Sequence, residues 1–298
     1  MSNLAFTPSI SEYISIISLA QSIPASSFPS LFSLIVITII GPLWARVTLS
    51  EKYPKILEDP KALEILKKKE YDFSELKGFL GECRGIGLLV RARSLDNAVK
   101  DYINEYPQAT VVNIGAGLDT TFHRVDNGSI KWYDLDLPDA IEFRKQLIPE
   151  SSRSKYVSRS VFNFDWFNEV EYDQTKGIFF IAGGFIYYYT EEKISKLFIA
   201  LANRFPGGGI AFDCVNKIAA KIVNRRAKKY DSELSFSLPI GNPEKTILRW
   251  SDKLRIKEWY TMYSRFPHNV KLHKKIRRMI KGSELLKIAK IVIVEFIK

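Results

Sequence analysis

Residues 110–124 read TVVNIGAGLDTTFHR, and this segment decides the fold of the chain. It begins with β-branched and apolar residues, which are typical of a strand that is buried on both faces. Gly115 and Gly117 follow at once, where glycine lets the backbone turn sharply and approach a ligand. Asp119 or Thr120 can then cap a helix. The segment predicts a strand, a turn and a helix start that aims free backbone N–H groups at one spot.

The next predicted strand ends in acidic residues. It continues as WYDLDLP, so Asp134 and Asp136 follow the glycines by roughly 20 residues, where a carboxylate suits a ribose diol. One of the two aspartates is expected only to cap the helix that begins near Pro138. The glycine pair also resembles the dinucleotide fingerprint G-x-G-x-x-G. Thr120 occupies the third glycine position, which weakens a nicotinamide interpretation.

The composition favours one large domain or two small ones. The chain has 298 residues, of which 46% are hydrophobic, and a formal net charge of +11. That charge permits anionic partners, but no nucleic-acid motif accompanies it, so we expect no nucleic acid to bind. Cys83 and Cys214 form no metal-ligand pattern and, with three scattered histidines, predict no metal site. They are typical of buried thiols in a reducing cytoplasm, which is the predicted location.

The first 40 residues predict no membrane span. Residues 1–30 are rich in serine and proline and predict an irregular arm. The apolar run 31–40, LFSLIVITII, stops at a Gly-Pro pair, well short of the roughly 18 residues that a spanning helix needs. We expect a buried or surface-docking helix there, and contact with a membrane surface is the less favoured alternative.

From residue 109 onward, strands and helices alternate, which indicates a parallel sheet. Strands are predicted at 109–114, 130–135, 155–161, 177–183, 209–214 and 288–297. Helices are predicted at 43–49, after Asp59 and Pro60, over 74–104, and after Thr190. The pattern suggests a helical cap over residues 1–105 and a second domain over 106–298, with a lid insertion at about 215–250. The insertion begins with a basic helix, and a second basic cluster follows at 271–281; most of these lysines are expected to be solvated.

Four stretches match one family. They are PLWARVTLSEKYPKILEDPKALEI (42–65), LLVRARSLDNAV (88–99), VVNIGAGLDTTFHR with KWYDLDLPDAIEFRKQLIP (111–149), and FIAGGFIYYYTEEKISKLFIALANRFPGGGIAFD (180–213). In these stretches the chain resembles the leucine carboxyl methyltransferase-like O-methyltransferases, especially the polyketide-type branch. The resemblance implies a class I methyltransferase fold of the α/β class. That fold has a Rossmann-like, mostly parallel seven-stranded sheet, a helical N-terminal cap, and S-adenosyl-L-methionine as methyl donor.

The resemblance also implies roles for individual residues. Donor contacts fall on Arg91 and Arg46 for the carboxylate, Gly115, Ala116 and Gly117 for the amino-acid and ribose part, Asp134 or Asp136 for the ribose, and Asn163 and Phe164 for the adenine. Ala182, Gly183 and Gly184 line the methyl-transfer cleft, with Tyr188 beside it. An arginine suits a carboxylate because its guanidinium forms bidentate hydrogen bonds. A surface salt bridge is the alternative role for Arg91.

The chain departs from the family pattern at Gly183, and the general base of the reaction is not identified. Many relatives have A-E-G where this chain has Ala182-Gly183-Gly184, so a carboxylate near the donor is missing. The family also offers no universal general base. A carboxylate acceptor needs none, whereas a hydroxyl acceptor needs help, for which Tyr188 or His123 are the candidates. His123 is expected more often to pack than to react.

The main hypothesis is therefore an S-adenosylmethionine-dependent O-methyltransferase that acts on a hydroxyl or carboxyl group of a small molecule. A non-catalytic or membrane-surface binding protein with the same fold is the first alternative. A nicotinamide-dependent oxidoreductase is the second. The sequence specifies neither the acceptor nor the oligomeric state.

Overall fold

The computed structural model describes residues 41–68, 74–229 and 235–297; the side chains of residues 68, 74–80, 226, 227 and 229 are not described. The predicted arm at 1–30 and the apolar run at 31–40 lie outside these ranges. Within them, no helix combines the length and the apolar content that crossing a bilayer requires.

Helices precede the sheet in the described part of the chain. They are α1 (Gly41–Lys52), α2 (Pro60–Lys68) and α3 (Ser74–Glu105). The predicted start of α2 is confirmed, because Asp59 Oδ1 accepts a hydrogen bond from Ala62 N at 3.0 Å and Pro60 is the first helical residue. The path of α3 is interrupted at Gly81, whose φ of 60° and ψ of 162° are not helical.

The remaining chain forms a seven-stranded sheet with helices between its strands. The strands are β1 (Thr110–Ile114), β2 (Lys131–Asp136), β3 (Ser154–Ser158), β4 (Ile178–Ala182), β5 (Gly209–Val215), β6 (Leu254–Thr261) and β7 (Ala289–Phe296). The helices are α4 (Thr121–Val125), α5 (Pro138–Leu147), α6 (Glu191–Arg204), α7 (Lys217–Lys229), α8 (Pro243–Trp250) and α9 (Lys274–Leu285). The strand order is β3-β2-β1-β4-β5-β7-β6, and only the pairs made by β7 are antiparallel. The predicted class I methyltransferase sheet is thereby confirmed.

Two strand predictions need correction. The sequence pattern predicts no strand at 254–261, where β6 forms the edge of the sheet beside β7. Charged residues at 255, 257 and 258 hide its alternation, and the β6–β7 register shifts between Ile256 and Glu258. The third strand ends at Ser158 rather than at 161, because the chain then turns and Asn163 N donates to Ser160 O at 3.0 Å.

The core lies on both faces of the sheet. Successive residues of a strand point to opposite faces, so the fully buried strands β1, β4 and β5 contribute to two separate clusters. Val112, Phe180 and Phe212 face the cluster that contains α6. Val111 and Phe179 face the cluster with the second half of α3. The side chains of β1 are all buried.

The predicted cap and the predicted lid both pack against the rest of the described chain. Ile86 and Leu89 of α3 share one cluster with Met262, Tyr263 and Ile276 from the C-terminal part of the chain. The segment after α7 packs inward, with Leu238 3% and Ile240 1% exposed. The division at residue 105 and the role of 215–250 as a lid stay predictions.

Candidate functional site

The glycine turn lies at the carboxyl end of β1. Gly115 and Gly117 have φ values of 68° and 46°, in the left-handed region that favours glycine. Gly115 N donates to Leu135 O at 2.8 Å, and Gly117 N donates to Asp136 Oδ2 at 2.7 Å. Ala116 N also points to Leu135 O, at 3.3 Å. The expectation of free N–H groups is therefore wrong for this turn, because β2 accepts all three.

The helix start behind the turn is held by Asp119. Thr120 is the N-cap of α4, but its side chain makes no capping bond. Instead, Asp119 accepts hydrogen bonds from Thr120 N at 2.8 Å and Thr121 Oγ1 at 2.7 Å. Burial of the Asp119 carboxyl opposes ionisation, but Arg124 and Arg46 outweigh it and lower its pKa to about 2. Asp119 is thus a permanent anion beneath the turn.

The two aspartates of β2 have different surroundings. Asp134 is 1% exposed and accepts from Trp132 Nε1, Asn113 Nδ2 and Arg144 Nη2 at 2.9, 3.0 and 2.7 Å. Asp136 lies at the strand end, where it accepts from Gly117 N and Leu137 N. Burial raises the pKa of Asp136, and these two N–H bonds oppose the rise. Neither aspartate is the N-cap residue of α5, because that residue is Leu137.

Arg91 projects from α3 toward the carboxyl ends of β4 and β5. Its Nη1 donates to Tyr187 Oη at 3.2 Å and lies 3.7 Å from Asp213 Oδ2. Asp213 Oδ1 accepts from Gly184 N at 2.5 Å. Burial acts to lower the pKa of Arg91, but Asp213, Tyr187, Tyr188 and Asp119 together outweigh it and the pKa is raised. Arg91 is therefore a fixed cation beside the corner that follows β4.

Gly183 packs against α3. A Cβ built on Gly183 would lie 2.7 Å from Leu95 Cδ1 of α3, so a side chain there would require the end of the Leu95 side chain to shift. Asp213, from the neighbouring strand, is the carboxylate that lies at this corner.

Aromatic rings form one wall beside the glycine turn. A Cβ built on Gly115 would lie 2.6 Å from Phe185 Cδ2, so this ring covers the turn closely. The ring centroids of Phe162 and Phe185 both lie 4.8 Å from that of Tyr189. Phe164, one of the two residues predicted near the adenine, is 37% exposed and stacks on Phe167.

The other residues predicted at the donor site contribute backbone or local bonds. Asn163 Oδ1 accepts from Asp165 N at 3.0 Å and starts a 3₁₀ turn. Ala116 is 3% and Ala182 1% exposed, so their side chains belong to the core. Their backbone is the part that borders the turn and the end of β4.

Tyr188 lies in an aromatic group with Tyr187 and Phe236. Its ring centroid is 4.9 Å from that of Tyr187 and 5.3 Å from that of Phe236. Burial raises the pKa of Tyr188, so its phenol stays protonated at neutral pH. A protonated phenol donates hydrogen bonds and is a poor general base.

Arg46 contacts the glycine turn from behind, whereas His123 lies at the surface beside α2. Arg46 Nη2 donates to Leu118 O at 2.7 Å, and its Nε lies 3.0 Å from Asp59 Oδ2. The Arg46 guanidinium therefore supports the glycine turn from the cap side. His123 is exposed beside the start of α2, where it borders a surface pocket with Pro60 and others, and not the cleft at Arg91.

Asp213, Phe162 and Phe185 were not predicted from the sequence to lie at the site. A signal for Asp213 was present, because an acid within the apolar strand GIAFDCV must be paired when it is buried. The two phenylalanines carry no such signal, since aromatic residues at strand ends usually belong to the core. Only the packing of the loops after β3 and β4 against each other brings both rings next to Tyr189.

Comparisons with known proteins identify the family of the chain. A family model described as leucine carboxyl methyltransferase matches residues 40–202. The tetracenomycin polyketide synthesis O-methyltransferase TcmP of Streptomyces glaucescens is 27% identical over 226 residues, which cover 76% of this chain and 82% of that protein.

Two solved structures share the fold. A candidate methyltransferase from Thermobifida fusca matches with a TM-score of 0.55 at 12% identity, covering 87% of this chain and 98% of that one. A DUF574 family protein from Streptomyces avermitilis matches with a TM-score of 0.57 at 14% identity, covering 86% and 97%.

Proposed function

The chain belongs to the leucine carboxyl methyltransferase family and is an S-adenosylmethionine-dependent methyltransferase, and we propose that it transfers the methyl group to an oxygen of a small molecule. The acceptor oxygen belongs to a hydroxyl or a carboxyl group. The relative TcmP is an O-methyltransferase of polyketide synthesis, which supports this class of acceptor.

One observation carries the proposal: a fixed cation and a strand-end carboxylate border the same glycine turn. Arg91 lies at the β4 corner and Asp136 at the end of β2, with Gly115 and Gly117 between them. The donor has a carboxylate, an ammonium and a ribose diol, so groups of both signs at one turn fit its chemistry. In this assignment Arg91 holds the donor's carboxylate and Asp136 accepts from its diol.

The occupied N–H groups of the turn separate this assignment from the nicotinamide alternative. A pyrophosphate needs free backbone N–H donors at the helix start. Here the N–H groups of Gly115 and Gly117, in the turn that leads to α4, already donate to β2. A ligand that presents hydrogen-bond donors to carboxylates suits the turn better than a ligand that presents phosphate oxygens. Family membership points the same way.

The bound donor supplies a methyl group on a positively charged sulfonium, ready for displacement by a nucleophile. The protein's part is to position the acceptor oxygen and exclude water, which can carry much of the rate. Phe162, Phe185 and Tyr189 provide a dry wall at the turn. Tyr188, protonated because burial raises its pKa, orients an acceptor oxygen by hydrogen bonding.

That protonation state bears on the acceptor. A carboxylate is ionised at neutral pH and needs no base, whereas an aliphatic hydroxyl does. Because Tyr188 does not supply a base, we infer that the acceptor is a carboxylic acid or an acidic phenol. The aromatic wall favours an aromatic or otherwise apolar body for the acceptor.

A labelling experiment tests the proposal. The purified chain is incubated with donor carrying an isotopically labelled methyl group and a panel of aromatic acids, phenols and amines. Label should appear in a base-labile ester or an alkali-stable aryl ether. Label only on amines, or donor binding without any transfer to oxygen acceptors, would overturn the assignment to oxygen.

Asp136→Asn tests the ribose contact. We expect the affinity for S-adenosylhomocysteine to fall about 10- to 150-fold, because a charged hydrogen-bond acceptor contributes about 1.5–3 kcal/mol. Isothermal titration calorimetry measures this affinity. An analogue without ribose hydroxyls should bind the variant and the parent equally. Asp173→Asn, at an exposed carboxylate, is the matched control. If Asp136→Asn weakened the binding of S-adenosylhomocysteine and of the analogue equally, Asp136 would act only by supporting the glycine turn.

A further inference from the structure

Helices α7 and α9 expose aliphatic side chains next to basic ones. Ile218 is 45%, Ile222 46%, Leu285 84% and Leu286 52% exposed. In α7 the two isoleucines are one turn apart and therefore lie on the same side of the helix. The basic side chains exposed on the two helices are Lys217, Lys221, Arg225 and Lys228 in α7, and Lys274, Lys275, Arg277, Arg278 and Lys281 in α9. We call these residues together the basic–apolar face.

Hydrogen bonds bring the two helices together at one place. Asn216, directly before α7, donates through Nδ2 to Leu286 O at 2.9 Å and to Lys287 O at 3.2 Å. Its backbone N donates to Ile288 O at 2.9 Å. The first turn of α7, with Ile218, therefore lies beside the exposed leucines that end α9.

The charge of the basic–apolar face has one sign. Residues 217–229 contain six Lys or Arg and no Asp or Glu. Residues 274–287 contain six Lys or Arg and one acid, Glu284. Glu284 is occupied inside the protein, because it accepts from Thr261 Oγ1 and from Tyr263 N. Several exposed cations around aliphatic residues are the features of helices that lie in the headgroup region of an anionic bilayer.

The face is also connected to the cleft. Asn224 of α7 donates to Phe236 O at 3.1 Å and accepts from Phe236 N at 2.7 Å. The Phe236 ring packs on Tyr187 with a centroid distance of 4.2 Å, and Tyr187 accepts from Arg91. Phe236 therefore connects α7 directly to Tyr187, which contacts Arg91.

We propose that the basic–apolar face docks the protein on an anionic lipid bilayer. The aliphatic residues distinguish this partner from nucleic acid, whose single strands are bound through aromatic rings that stack on bases. Ile218, Ile222, Leu285 and Leu286 offer no such rings, but they can enter the acyl boundary beneath the headgroups. The cations bind the headgroups, and docking presents the cleft to molecules dissolved in the bilayer.

Vesicle sedimentation of the full chain tests the proposal. Vesicles are made of phosphatidylcholine alone or with about a third anionic phosphatidylglycerol. We expect binding to the anionic vesicles that weakens steeply as salt is raised, since exposed charges are screened. Binding to the neutral vesicles should be at least about tenfold weaker.

Two variants of the face and one matched control locate the contact. Lys217→Gln/Lys221→Gln/Arg225→Gln and Ile218→Ser/Ile222→Ser should each weaken anionic-vesicle binding by at least about tenfold. Lys131→Gln/Lys155→Gln/Lys176→Gln removes the same number of exposed charges from the β2–β3 side and should keep most of the binding. Each variant should bind S-adenosylhomocysteine with the parent's affinity, which shows that it is folded.

Several results would overturn the proposal. They are absence of anionic-vesicle binding by the parent chain, equal binding by parent and both face variants, and an equal loss in the β2–β3 control. Retention of the Ile218→Ser/Ile222→Ser variant on vesicles, together with tight binding of an oligonucleotide, would assign the basic residues to nucleic acid instead.

Discussion

Replacing Asp59 by alanine is expected to lower the free energy of unfolding by about 3–5 kcal/mol, as for other buried ion pairs that lose one partner. The Asp59 side chain is fully buried and accepts from Arg124 Nη1 at 2.7 Å, Thr120 Oγ1 at 2.6 Å and Ala62 N at 3.0 Å. Arg46 Nε lies 3.0 Å from the same carboxylate. Without Asp59, two buried guanidinium groups would lose their shared anion.

Equilibrium unfolding in urea, followed by circular dichroism, measures the effect. Glu58→Ala is the matched control, because Glu58 is the adjacent acid and is exposed. It should change the free energy of unfolding by no more than about 0.5 kcal/mol. Asp59→Asn should retain the cap of α2 but still lose stability, since the amide carries no charge. A loss below about 1 kcal/mol for Asp59→Ala would contradict the role of Asp59 in connecting α1 and α2 to the start of α4.

Arg91→Ala is expected to weaken donor binding by about 1.5–3 kcal/mol, or roughly 10- to 150-fold. The guanidinium is held in place by Tyr187 and Asp213 at the β4 corner, so it is positioned before the donor arrives. Calorimetric titration with S-adenosylhomocysteine measures the loss. Arg91→Lys should recover only part of it, because an ammonium group cannot form the bidentate pair with a carboxylate.

The same helix supplies a matched control for Arg91. Arg93 donates to Ile56 O at 3.1 Å, on the side of the cap, so Arg93→Ala should leave donor affinity unchanged. A donor analogue that lacks the carboxylate separates the two roles of Arg91. That analogue should bind the Arg91→Ala variant and the parent equally. If its affinity fell as much as that of the full donor, Arg91 would act only by supporting the Gly184 corner.

The sequence alone determined the local features of the site. The apolar run before Gly115 predicts a buried strand, and period-two burial then places neighbouring residues on opposite faces of the sheet. Asp59 before Pro60 predicts the start of α2, and Thr190 predicts the start of α6, whose N-cap it is. These predictions hold because each depends on residues within a few positions of one another.

Only the tertiary structure decided which charged side chains lie near the glycine turn and with which partners. Asp134 and Asp136 look alike in sequence, yet Arg144 and the Trp132 indole enclose the first. Arg46 meets the carbonyl of Leu118 across 72 residues. Such contacts depend on where distant elements pack.

The edge strand β6 and the corner at Asp213 also depend on contacts between distant parts of the chain. β6 alternates weakly on its own and forms by pairing with β7. Asp213 reaches Gly184 from 29 residues away, through the side-by-side pairing of β4 and β5. Local sequence specifies backbone conformation, because neighbouring residues set propensity and capping, whereas the partner of a buried charge is specified only when the chain has closed around it.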